Sequence, residues 1–283
     1  MLVCAAMIWG SAFVAQSVGM EYVGPFTFQA VRCLLGGLAL LPVIALLNRR
    51  AEPAPGTGKD LLIAGLACGV CLFVASSLQQ VGLIYTSAGK SGFITALYVA
   101  LVPCAGLFLG KRQPLTVWAG ALLAVIALYL LCVKDGFSIG KGELLTLGCA
   151  LCFTCHILII DRFSARVDGV KLSCIQFFVC AALAFIATLL FEKPSAAAIL
   201  RCWLPIVYAG VLSCGVGYTF QILGQRDAKP AVASLLMSLE SVFAVIFGAI
   251  LLHERLTRPE YIGCVLMFAA IVLAQLPQKE NIA

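Results

Sequence analysis

The chain has 283 residues, of which 62% are hydrophobic and only 11% charged, with a formal net charge of +6. Soluble domains carry about 45–50% apolar and about 25% charged residues, so a water-soluble fold is excluded and a polytopic membrane protein in a lipid bilayer remains. The basic residues lie mostly between apolar segments, with no stripe interleaved with aromatics, which argues against nucleic acid as a partner.

A spanning helix needs about 20 apolar residues. The first predicted spans are Leu2–Val18, Pro25–Leu47, Leu61–Leu83, Ala88–Leu109 and Leu115–Val133. The second group is Gly142–Ile160, Val170–Phe191, Leu204–Leu223, Pro230–Leu252 and Pro259–Leu276. Leu2–Val18 lacks a basic n-region and reads as the first span rather than a cleaved signal. The chain starts almost inside it, as if a short segment preceded it. Asn48–Asp60, with Arg49, Arg50 and several Pro and Gly residues, is the longest polar loop. Pro25, Pro230 and Pro259 stand where helices start, whereas Pro42 and Pro103 lie inside spans and are expected to kink them. Basic residues in the second and sixth loops (Arg49, Arg50, Lys59; Arg162, Arg166, Lys171) place both termini in the cytoplasm of a plasma-membrane protein.

Residues Leu61–Val133 align without a gap on Leu204–Leu276, a shift of 143. Ser91 meets Ser234, Arg112 meets Arg255 and Gly120 meets Gly263. The first two spans match more loosely, with Cys4 on Cys149 and Arg32 near Gln176. Residues 1–133 and 142–276 therefore read as two five-span repeats, joined by 134–141 and followed by a cytoplasmic tail, 277–283. Five is odd, so the copies cross the membrane in opposite directions. The expected fold is all-α, with ten transmembrane helices in two inverted repeats.

Polar residues inside the spans point to a cavity between spans 1–4 and 6–9. Ser91, Thr95 and Tyr98 share one helical face, and the register gives them Ser234, Ser238 and Ser241 as mates. Two such stripes fit cavity lining; bonding back to their own helices is the competing use. Gln80, with Ser76 on its face, Tyr218, and Trp9 as an aromatic wall complete the candidate substrate contacts. Arg32 and Glu240 are ionisable residues well inside spans, hence candidates for coupling or substrate binding. Arg32 could meet a substrate carboxylate or pair with Glu240. Glu240 lies roughly 120° around its helix from the serine stripe, which aims it at a neighbouring helix.

His156 ends a C-x-x-C-H string, Cys152 to His156, that matches covalent haem attachment. Its mid-span position argues for ordinary small-residue packing, with His156 either bonded to a neighbouring helix or lining the pathway. No metal or cofactor is expected. The fourteen cysteines are scattered through apolar segments, unlike a disulfide framework. Gly106-x-x-x-Gly110 permits close helix approach, within the bundle or between the protomers of a homodimer. No catalytic or nucleotide-binding motif occurs, so the chain is not expected to be an enzyme. A membrane enzyme built on Cys155, His156 or Glu240, or a non-transporting scaffold, is the alternative to a carrier.

Met7-Ile-Trp-Gly-Ser-Ala-Phe-Val14 resembles the first helix of the EamA family in the drug/metabolite transporter superfamily. Ala233 to Ala244, followed by His253-Glu254-Arg255-Leu-Thr257, is similar to that family's ninth-helix signature. The resemblance covers the whole chain. It implies ten helices, cytoplasmic termini and a carrier, often an exporter, of amino acids and other small metabolites, with no single substrate or coupling ion. Three positions depart from the pattern: Ser241 and Tyr98 stand where proline is usual, and Lys111 replaces an acidic residue. A small-molecule substrate is thus the expected partner.

Overall fold

The computed structural model describes residues 1–47, 56–86, 88–111, 113–132, 139–251 and 257–276. Arg49, Arg50, Arg112, most of the 134–141 connection, the His253–Arg255 part of the ninth-helix signature and the 277–283 tail lie outside the described residues.

The described residues contain helices and no strand. The first three spans are α1 (Leu2–Met20), α2 (Pro25–Leu47) and α3 (Gly58–Gly82). The fourth is divided into α4 (Ala88–Ala96) and α5 (Tyr98–Phe108), and the fifth is α6 (Leu115–Cys132). The second half begins with α7 (Lys141–Phe163) and α8 (Gly169–Phe191), followed by a short loop helix α9 (Ala196–Arg201). The eighth span runs through α10 (Trp203–Val207), a π-helical stretch (Tyr208–Tyr218) and α11 (Thr219–Gln225). The ninth is α12 (Pro230–Met237) with α13 (Leu239–Leu251), and the tenth is α14 (Arg258–Gln275). Among the described residues, eight helices are long and apolar enough to cross a membrane, and Leu115–Leu131 is a shorter apolar one. With α14 the bundle has about ten spans: an all-α polytopic membrane protein.

Leu62, Leu66 and Val70 of α3, Leu122 and Ile126 of α6, and Val265, Phe268 and Val272 of α14 are exposed, as lipid-facing residues should be. Buried positions hold large apolar residues such as Phe28, Leu72 and Phe177 together with many Ala and Cys and a set of polar side chains.

Helix pairing repeats when the two halves are exchanged. The first span packs on α13 and on the π-helical stretch, and α7 packs correspondingly on α5 and on α3. Likewise α2 lies on the π-helical stretch and α8 on α3, while α2 with α8, and α6 with α14, pair across the halves. The last pair shows the register directly. A Cβ on Gly120 would sit 2.9 Å from the Ala270 carbonyl, and one on Gly263 2.9 Å from the Ala127 carbonyl. Both glycines and both alanines are 143-residue mates, so each glycine admits the other half's backbone. The start of α2 meets the end of α8, where Glu192 accepts from Phe26 N (2.8 Å), Thr27 N (2.9 Å) and Thr27 Oγ1 (2.6 Å). A carboxylate there satisfies backbone donors that the first helical turn cannot pair.

Pro42 and Pro103, where kinks are expected, lie within continuous helices. The interruptions fall at Leu97 and Ser238, where no proline or glycine stands. At Leu97 the ladder tightens by one residue: Leu97 N bonds Ile94 O, and Ala100 N bonds Leu97 O. Ser241 N to Ser238 O does the same in the ninth span. Gly110, with φ 73°, follows the end of α5, and Lys111 N closes the turn on Gly106 O at 2.8 Å. A Cβ on Gly110 would meet nothing of this chain within 4 Å.

Candidate functional site

A cavity lined by both polar and apolar side chains lies within the bundle, with walls from both halves. On α1, Trp9, Phe13 and Gln16 face it, at the i, i+4, i+7 spacing of one helical stripe. Arg32 enters from α2, Ser76 and Gln79 from α3, Thr95 from α4 and Tyr98 from α5. The second half adds Phe153 and Ile157 from α7, Ser213, Tyr218 and Gln221 from the eighth span, and Met237 and Glu240 from the ninth. Spans five, seven and ten supply no wall residue among those described. The free space is about 60 Å³, well below the roughly 300–1,000 Å³ of drug-sized ligand sites.

The winding of the eighth span explains one part of the wall. Ser213 and Tyr218 are five apart, which would separate them on an α-helix but brings them towards one face in a π-helix. The Ser213 carbonyl accepts from Trp9 Nε1 at 3.2 Å, and the Trp9 and Tyr218 rings pack with centroids 4.8 Å apart. Gly217 makes room for this: a Cβ there would lie 2.7 Å from Trp9 Nε1.

At the helix interruptions, Tyr98 OH donates to Glu240 Oε1 at 3.0 Å, joining the halves. Thr95 and Tyr98 are three apart on one wall, and Met237 and Glu240 are three apart on the other. The facing residues are thus one step off the 143 register, which set Leu97 against Glu240. Gln79 Nε2 donates to Thr95 Oγ1 at 3.1 Å. Deeper in the wall, Gln16 Oε1 accepts from Arg32 Nη1 (2.9 Å) and from Gln80 Nε2 (3.1 Å).

Trp9, Thr95, Tyr98, Tyr218, Arg32 and Glu240 therefore share one cavity. Gln80 is fully buried one layer behind, bonded to Gln16. Ser91 is buried 3.4 Å from Thr146 Oγ1, towards α7. The serine stripe of the ninth span does not line the cavity. Ser234 bonds Ala231 O (2.9 Å), Ser238 bonds Leu235 O (2.7 Å) and touches Met267 Sδ of α14, and Ser241 is buried outside the wall. The reason is physical: a serine hydroxyl can be satisfied by its own helix, so the stripe can face the tenth span. A glutamate cannot, and Glu240 lines the cavity while accepting from Tyr98 of the neighbouring α5. Arg32 and Glu240 form no ion pair with one another.

His156 is fully buried, its Nε2 bonded to Gln176 Oε1 at 2.9 Å. It packs edge-on against Phe153 and Tyr218, which separate it from the free space. Cys155 is exposed, Cys152 half-buried and His156 fully buried, so the C-x-x-C-H string points in different directions around α7. No group of three or more metal-ligating side chains occurs among the described residues.

Phe13, Gln16, Phe153, Ile157, Ser213 and Met237 were not singled out by the sequence reading. The first two continue the stripe of Trp9, and Met237 stands three before Glu240, so spacing from a known wall residue would have found them. Ser213 carries no such signal, because only the π-helical winding turns it inward.

The EamA-like transporter family profile matches residues 1–133 and 140–276. An uncharacterized transporter of Archaeoglobus fulgidus is 31% identical over 97% of this chain and 84% of its own length. The uncharacterized inner membrane transporter YedA of Escherichia coli K12 is 24% identical over 95% of this chain and 88% of its own. The chloroplastic WAT1-related protein At3g02690 of Arabidopsis thaliana is 23% identical over 99% and 70% respectively. A protein of known crystal structure shares the fold at a TM-score of 0.80 and 19% identity, over 97% of this chain and 96% of that one.

Proposed function

The chain belongs to the EamA-like transporter family, and on that premise we propose a secondary carrier that exports amino acids or related small polar metabolites by alternating access. The observation that carries this reading is the central cavity, which neither half could form alone. Its wall holds one cation, one anion, amides, hydroxyls and aromatic rings, a set suited to a small zwitterion. The limited free space means that walls must part to admit a solute, which is what alternating access requires.

In this reading both termini are cytoplasmic and the chain lies in the plasma membrane. The ends of the fourth and sixth spans then face the cytoplasm, tied by Lys111 Nζ to Asp161 Oδ2 at 2.7 Å. An ion pair this exposed contributes at most about 1 kcal/mol, so it can break in each cycle. The two halves would rock about the centre, where Tyr98 and Glu240 meet.

Purified protein in proteoliposomes should exchange at least one member of a broad metabolite panel. Failure to move any, together with chemical turnover of one, would establish a membrane enzyme instead. Extracellular metabolites of deletion and overexpressing cells give the direction: export predicts accumulation outside on overexpression.

A further inference from the structure

Arg32 is 6% exposed, lines the cavity, and forms no ion pair with a carboxylate among the described residues. Its Nη1 is held by Gln16, and that same oxygen is fixed by a second donor, Gln80. The Phe28 ring covers another side, with its centroid 5.7 Å from Cζ. The Nε of the guanidinium finds no acceptor. A buried cation in a membrane bundle calls for an anion, and here no carboxylate of the described residues stands within ion-pair distance.

We infer that the unpaired side of Arg32 is the carboxylate subsite of the central cavity, and hence that a free carboxylate is a requirement of the solute. This rests on the carrier reading. A guanidinium presents a planar fork that matches a carboxylate in two parallel hydrogen bonds, which a lysine cannot reproduce. Gln16 already holds one corner, so the fork is oriented before the solute arrives and loses little freedom on binding. Glu240 shares the wall without pairing to Arg32, which leaves the cation available. Phosphate is a poorer fit, since Arg32 is the sole cationic wall residue among those described.

The test uses the full chain in proteoliposomes, with the common amino acids, their amides and their decarboxylated amines as competitors of the exchanging solute. In the unmodified protein, free acids should compete at least about tenfold better than the matching amides, because a site built for a polar group rejects analogues lacking it. Arg32→Gln should erase that ratio. Arg32→Lys should weaken the acids about tenfold while keeping some preference. The ratio is read within each variant, so altered yield cancels, and the unmodified protein decides alone if neither variant folds. Equal competition by acids and amides, or an unchanged ratio in Arg32→Gln, overturns the subsite while exchange itself still stands. Absence of exchange by any solute overturns the carrier reading, and this assignment with it.

Discussion

The second and seventh spans occupy equivalent places in the two halves, and each carries a buried polar side chain at about the same depth in its helix. In the first half it is Arg32, held by Gln16 and open to the cavity. In the second it is Gln176, fully buried, bonded to His156 and absent from the cavity wall. One slot became a charged wall and the other a neutral brace between helices. Duplication supplied the scaffold; the two slots then diverged because only one of them opens on free space.

Exchanging their chemistry is the strongest way to break this contrast. Gln176→Arg should be the most damaging change, since it buries a charge with no anion beside it. A cost of about 3–5 kcal/mol is expected, seen as loss of monodisperse protein and a lowered thermal midpoint in detergent. Normal yield would mean that the second cluster is as open as the first. Next comes Tyr98→Phe, which removes the donor to Glu240 where the halves meet. A hydrogen bond to a charged group is worth about 1.5–3 kcal/mol, so exchange in proteoliposomes should fall by at least about tenfold. An unchanged rate would reduce the Tyr98–Glu240 contact to packing. Smallest of all is Ser238→Ala, whose hydroxyl bonds only its own helix and Met267. Stability should shift by no more than about 0.5 kcal/mol and exchange by less than about twofold. A tenfold loss would put the serine stripe back in the cavity wall.

These contrasts also mark what a sequence can disclose in this class of fold. Spans were legible because each needs a long apolar run, and Gly120 and Gly263 were legible as repeat mates, although that they seat α6 on α14 emerges only in the fold. The inward face of the ninth span was not. In a membrane bundle the lipid side and the packing side are both apolar, so serines mark neither direction. Glu240 was the better pointer, because its own helix cannot satisfy it. The breaks at Leu97 and Ser238 had no proline or glycine to announce them, and they moved the facing residues one step off the sequence register. Arg32 stood out as a buried charge, but its orphaned Nε and its Gln16 support depend on three helices meeting.

The π-helical stretch, Tyr208–Tyr218, has a consequence for how this chain tolerates changes in length. An α-helical span cannot lose one residue without turning everything beyond it by about 100°. A π-helix holds more residues per turn than an α-helix, so it can tighten towards ordinary winding and absorb a deletion of one. A single-residue deletion inside α3, its counterpart, would instead rotate Ser76 and Gln79 off the cavity wall. Within the membrane region, the eighth span is therefore where one-residue gaps between this chain and its relatives are expected to collect.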